Sequence, residues 1–219
     1  MISLTPQILF FIETMLFISV IFMHLTKKNY TIIFLYAFQS CIIAIALFYS
    51  SLNEGSLSLV AVSVLTFLVK VIIAPYFFLQ LMKKYQLQFS VSTYLNGPAT
   101  LIVLALLTAF SYSHFFKPLN ILAPLNEKSL LFALAMIFIS IFLIINRKGV
   151  FSQMIGILSL ENAIVSFAYI TGLEVTAGSQ VGILFDIFIW VIIAKVFASM
   201  IYEHFGSEDT SIMRHLKEK

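Results

Sequence analysis

The chain has 219 residues, of which 61% are hydrophobic and only 11% are Asp, Glu, Lys or Arg, and its mean hydropathy is +1.03. A water-soluble globular domain carries about 25% charged residues, so that class is excluded and the surroundings of most of the chain are lipid. The net charge of +3 comes from loops and a tail, with no basic stripe of the kind that binds nucleic acid.

Apolar runs of about 20 residues, the length that crosses a bilayer, fall at 7–26, 30–50, 57–82, 97–116, 129–146, 150–172 and 179–202. They predict an all-α polytopic membrane protein of seven transmembrane helices joined by short connections. The first run follows MISLTPQ, which has no basic residue, and Lys27-Lys28 comes after it. It therefore reads as a retained span and not as a signal peptide. Glu13, near one end of that span, is expected at the membrane interface. In the second span Gln39 is expected to hydrogen-bond between helices. Cys41, the one cysteine, lies in the same span, which leaves no disulfide framework and no Cys/His cluster for a metal. Lys70 stands near the middle of the third span. Pro75 and the pair Gly97-Pro98 are expected to kink or begin helices. Glu161 lies near the middle of the sixth span, within GILSLENA. The seventh holds Asp186 toward its outer half and Lys195 toward its inner half.

In this arrangement Lys27, Lys28, Lys83, Lys84, Arg147, Lys148, Arg214, Lys217 and Lys219 fall on one side, against Lys117 and Lys128 on the other. The positive-inside rule then puts the N-terminus outside and the C-terminus in the cytoplasm. Sliding the chain against itself by 120 residues aligns VIIAPYF at 71–77 with VIIAKVF at 191–197, Lys28 with Lys148, Tyr49 with Tyr169, and Glu54 with Glu174. These matches predict a first three-helix repeat at 1–84, a linker helix with loops at 85–126, a second three-helix repeat at 127–205, and a cytoplasmic tail at 206–219. With a single crossing between them, the two repeats run parallel.

Lys70, Glu161, Asp186 and Lys195 each cost about 2.5–3.5 kcal/mol at a helix centre, so they should face protein or water and not lipid. Asp186 and Lys195 are separated by about 13.5 Å along the helix and about 180° around it, and so cannot neutralise each other. Glu161 and Lys70, at similar depth, form one possible pair. Opposite charges in contact would keep both ionised, whereas an isolated Glu161 would tend to hold its proton. A carboxylate poised between those states can carry a proton; a buried ion pair can equally fix helix register. Both readings stand at this point.

The order YAFQS at 36–40, LVKVIIAP at 68–75, NGPA at 96–99, GILSLENA at 156–163, FDIFIWVIIAKVF at 185–197 and a short tail with SEDTSIMRHLK resembles the hydrogenase-4 component E family over nearly the whole chain. That family comprises membrane subunits of group 4 nickel–iron hydrogenases and of formate hydrogenlyase-like assemblies. Its C-terminal half resembles the K subunit of respiratory complex I and the C subunit of multisubunit cation/proton antiporters. The resemblance implies a mid-membrane carboxylate on the middle helix, a place that Glu161 matches. The second carboxylate of that pattern has no counterpart at the right depth, where Ile193 or Lys195 stands and Asp186 lies nearer the outer side. Gln39 occupies the corresponding place in the first half. The implied role is a non-redox subunit of the cell inner membrane that helps couple electron transfer to proton or sodium movement. Glu161, Lys70, Asp186, Lys195 and Gln39 are its ion-pathway candidates. The chain itself would hold no catalytic residue, metal or cofactor. A nickel–iron centre and iron–sulfur clusters would belong to peripheral hydrogenase and iron–sulfur partner subunits, alongside antiporter-like membrane subunits. A structural adaptor and a subunit of a non-hydrogenase ion-coupled transporter are the alternatives.

Overall fold

A computed structural model describes residues 5–55, 57–84 and 92–172. The expected span at 179–202, with Asp186 and Lys195, and the tail after it lie outside the described residues. Within them the chain is helical: α1 (Pro6–Leu25), α2 (Asn29–Glu54), α3 (Leu57–Phe67), a π-helical segment (Leu68–Ile73), α4 (Ala74–Lys84), α5 (Gly97–Ser111), a 3-10 segment (His114–Leu122), α6 (Glu127–Asn146) and α7 (Val150–Ile170).

Local chemistry sets several of these boundaries. Thr5 caps α1 by accepting from the Ile8 N–H, and Pro6 follows at the first turn, where a missing N–H costs nothing. Gly55 ends α2 in the left-handed region at φ 64°, a conformation open to glycine without a Cβ penalty. Asn96 caps α5 through the Ala99 N–H at 3.0 Å, with Gly97-Pro98 in its first turn. Gly97-Pro98 therefore begins a helix.

Five helical stretches are long and apolar enough to cross a membrane: Pro6–Leu25, Asn29–Leu52, Leu59–Lys84, Glu127–Asn146 and Val150–Ile170. Their bounds match the expected spans to within a few residues. The fourth differs. The apolar run at 97–116 is not one straight span, because α5 has 15 residues, about 22 Å at 1.5 Å per residue, and is too short for a hydrocarbon core of about 30 Å. Ser113 then turns to an extended conformation and the chain bends by 59° into His114–Leu122.

Helices α1, α2, α7 and α6 pack in that cyclic order as a four-sided bundle, with α3 to α4 laid against α2, and α5 against α6 and α1. One cluster of the core joins Met23, Ile32, Tyr36, Phe78 and Phe151. A second joins Leu9, Leu16, Leu47, Leu130 and Ile170 toward the opposite end. The outer surface exposes Phe11, Phe34, Ile45, Ile102, Leu106 and Ile145, as expected of a surface solvated by lipid chains and not by water.

The end of the bundle carrying residues 26–28, 92–96 and 146–149 is stitched by hydrogen bonds across distant segments. Tyr94 N–H donates to the Asn146 carbonyl at 3.0 Å, Lys148 N–H to the Ser92 carbonyl at 3.1 Å, and Leu95 N–H to the Asn146 side chain at 2.9 Å. Arg147 is fully buried here. Its guanidinium donates to the Thr26 carbonyl at 3.1 Å and to the Met23 carbonyl, which satisfies acceptors that the end of α1 leaves open. Burial pushes its pKa down to about 10, still high enough to keep it charged at neutral pH. Lys27, Lys28, Lys83, Lys84 and Lys148 share this end, and Lys117 and Lys128 lie at the other.

Candidate functional site

Helix α7 turns a polar face inward. At 100° per residue, Ser152, Ser159, Asn162 and Ser166 fall within an arc of about 80°, and all four are buried. Each finds a partner on a neighbouring helix. Ser152 Oγ donates to Asn29 Oδ1 at 3.4 Å, Ser159 Oγ to Gln39 Oε1 at 3.0 Å, and Asn162 Nδ2 to Ser40 Oγ at 3.1 Å. Ser166 Oγ donates to Glu13 Oε1. In hydrocarbon a buried polar group without a partner costs several kcal/mol, so this face fixes how α7 sits against α1 and α2.

Lys70 reaches the flank of that face from the third span. Its Nζ lies 2.9 Å from Glu161 Oε1 and donates to Asn162 Oδ1 at 3.0 Å. The lysine is 1% exposed and the Glu161 side chain 21% exposed. The desolvation cost of the ammonium is therefore offset by one carboxylate and one amide oxygen. Around the pair stand Ser40, through Asn162, and the fully buried Tyr36, close enough to interact electrostatically with Glu161. Gln39 is also interhelical on its other side, with Nε2 donating to the Leu16 carbonyl at 3.4 Å.

The backbone that carries Lys70 is unusual. Pro75 has no N–H to donate to the carbonyl four residues back, and its ring crowds that carbonyl. The helix accommodates it by widening: Ala74 N–H donates to the Val69 carbonyl in the five-residue π pattern. Such π bulges occur mostly as single turns and often at functional positions. Here the bulge holds Lys70.

Of the residues singled out from sequence, the structure brings Lys70 and Glu161 into contact and places Gln39 against Ser159, two residues before Glu161 on α7. Asp186 and Lys195 lie outside the described residues. Glu13, expected near the membrane interface, is 1% exposed and bonded across to α7. Asn162, Ser159 and Ser166 of α7 and Ser40 of α2 were not anticipated, although the spacing of the three on α7 carried a helical-face signal. Among the described residues no group of His, Cys, Asp and Glu has the arrangement of a metal site. No protein-family model matches the chain, and no curated protein or solved structure is detectably similar to it.

Proposed function

We propose that this chain is a non-redox membrane-arm subunit of a complex I-related, hydrogenase-type assembly, in which buried charges help couple electron transfer to proton or sodium translocation. The observation that carries this reading is the Lys70–Glu161 pair, an ion pair inside apolar helices with its lysine on a π bulge. Intramembrane ionisable groups mark ion pathways by default. A bulge is also a place where a helix can change register by one hydrogen bond. Drawing Lys70 toward Asn162 and away from Glu161 would weaken the charge that keeps the carboxylate ionised, and Glu161 would take up a proton; the reverse movement would release it. Asp186 and Lys195 would extend the charged row in a seventh span. Gln39 would keep the pair in register as a neutral neighbour.

The resemblance to the hydrogenase-4 component E family supplies the rest of the proposal. It comprises seven spans in a parallel repeat, an outside N-terminus and a cytoplasmic C-terminus in the cell inner membrane. Antiporter-like membrane subunits would be the lateral partners. The nickel–iron centre and iron–sulfur clusters would be held by peripheral subunits and not by this chain. Helix ends add support for the repeat. Pro6, Leu25 and Asn29 stand to Glu127, Asn146 and Val150 at a constant offset of 121 residues, one more than the offset that aligns the sequence motifs.

A structural adaptor is the second reading, and the contacts of Lys70 favour it to this extent: both its partners are in place, as a register lock requires. The experiment that separates the two has two steps. The tagged protein is purified in mild detergent and its bound subunits are identified by mass spectrometry. The Glu161→Gln complex is then compared with wild type for assembly and for ions moved per electron. Assembly with lost or reduced stoichiometry supports the coupling role. Normal assembly with normal stoichiometry overturns it. Failure of assembly with a neutral, isosteric side chain favours the adaptor.

A further inference from the structure

Besides the Lys70 centre, three ionisable side chains are buried among the described residues: His24, Arg147 and Glu13. Two of them have evident structural work. Arg147 closes the end of α1. His24 bonds the Ile139 carbonyl through Nε2 at 3.0 Å and stacks on Phe142 with ring centroids 5.1 Å apart.

Glu13 joins α1 to α7 through one oxygen only among the described residues. Its Oε1 accepts from Ser166 Oγ, while its Oε2 is buried with no hydrogen-bond partner among the described residues. No ion pair to Glu13 exists among those residues, where Lys70–Glu161 is the pair observed. Glu13 is among the residues around a narrow cleft between α1, α2 and α7, with Leu9, Ile12 and Leu16 of α1 and Ile43 and Leu47 of α2. On α7, Tyr169 is the further titratable group at the cleft. The charged residues at the start of α6, Glu127 and Lys128, are exposed and do not line it.

An unpaired carboxylate in such surroundings is far costlier than a neutral acid. A carboxylic acid also suits this geometry better than a carboxylate. Its carbonyl oxygen accepts from Ser166 Oγ, and protonation of the other oxygen removes a charge that no described residue neutralises. We propose that Glu13 is a second proton-binding site, a neutral carboxylic acid reached from the bilayer through the cleft between α1, α2 and α7. Ser166 lies five residues beyond Glu161 on α7, about 7.5 Å along the axis. The site thus stands between the Lys70–Glu161 pair and the end of the bundle away from the basic connections. The existence of the site is independent of the coupling role proposed above; its use as a stepping point for protons toward Glu161 rests on it.

Dicyclohexylcarbodiimide tests the site directly, because it reacts with protonated carboxyl groups in apolar surroundings. The acid proton passes to a carbodiimide nitrogen and the carboxylate oxygen bonds the central carbon. An oxygen-to-nitrogen acyl shift then leaves the whole reagent on the side chain as an N-acylurea, and nothing departs. Native membranes holding the full chain are treated at neutral pH, and the adduct is located by peptide mass spectrometry. The expected result is an adduct on Glu13, lost in Glu13→Gln and retained in Glu161→Gln. A water-soluble carbodiimide should give a yield lower by tenfold or more. No adduct on Glu13 of the unaltered protein overturns the proposal without recourse to any variant. So does labelling that favours the water-soluble reagent. Neither outcome depends on whether the chain couples to a redox partner, so failure here and failure of the coupling role are distinguishable.

Discussion

Lys70 and Glu161 define an interaction whose energy can be isolated by a double-mutant cycle. Lys70→Met removes the ammonium while roughly preserving volume, and Glu161→Gln removes the charge while preserving shape. Breaking a buried pair from one side costs about 3–5 kcal/mol, because the remaining charge is stranded. With 21% of its side chain exposed, Glu161 can take up a proton or draw on its open side, so Lys70→Met should sit near the low end, about 3 kcal/mol. Glu161→Gln strands the lysine, which is 1% exposed and, among the described residues, keeps its bond to Asn162, and should cost at least as much. The double variant leaves no stranded charge and should be more stable than the sum of the singles requires. The expected coupling is about 1.5 kcal/mol or more, against an average of about 0.6 kcal/mol for interhelical hydrogen bonds in membranes. Reversible unfolding in mixed micelles, followed by circular dichroism, measures all four corners of the cycle. A coupling at or below about 0.6 kcal/mol would mean that the two charges interact no more strongly than an ordinary interhelical hydrogen bond, and the reasoning about a poised pair would fail.

Three further outcomes follow from the same geometry. Arg147→Leu strips donors from the Thr26 and Met23 carbonyls and should destabilise by about 2–3 kcal/mol, as for hydrogen bonds to a charged group; Arg147→Lys should recover less than half, since an ammonium lacks the fork. A Cβ on Gly156 would meet Ile144 Cγ1 at 3.0 Å, so Gly156→Ala should cost about 1 kcal/mol by overpacking, and in an Ile144→Ala background, which lacks Cγ1, the same substitution should cost less than half as much in the same unfolding assay. Pro75→Ala returns an N–H to the helix and removes the reason for the π bulge; the Lys70–Glu161 coupling, remeasured in that background, should fall by at least half.

The spans were legible because bilayer thickness fixes a minimum length and the sequence has few polar interruptions. The expected run at 150–172 and the observed Val150–Ile170 differ only at the last turn. The bend in the fourth run was hidden for a physical reason. Phe115 and Phe116 keep its hydropathy high, yet the helix has already ended when Ser113 turns extended, and Lys117-Pro118 lie on a separate short segment. Hydropathy counts apolar residues and is blind to backbone direction. The candidate pair was legible in part: Lys70 and Glu161 match in depth, but their contact is a matter of helix packing, and no periodicity reveals the π bulge that carries Lys70. The enclosure of Glu13 was not legible, because nearness to a helix end says nothing of what packs against it. Its partner Ser166 is 153 residues away, and only packing brings the two together.

Polarity and burial along the spans explain one another. Val150–Ile170 is the least apolar of the five long helices and the most enclosed, with 67% of its apolar window buried against 33% for Leu59–Lys84. A helix with Ser152, Ser159, Glu161, Asn162 and Ser166 could not face lipid, because each polar group would lack a partner there. Enclosure by α1, α2 and α6 supplies those partners, and in turn the polar groups dictate how α7 is rotated. The third span has the opposite character: it is mostly exposed and apolar, and it sends one charged side chain inward. A lysine projecting from the bundle's edge into its most polar helix moves more easily than one clamped between core helices. Of the two partners in the ion pair, Lys70 therefore stands on the less enclosed helix and Glu161 on the most enclosed one.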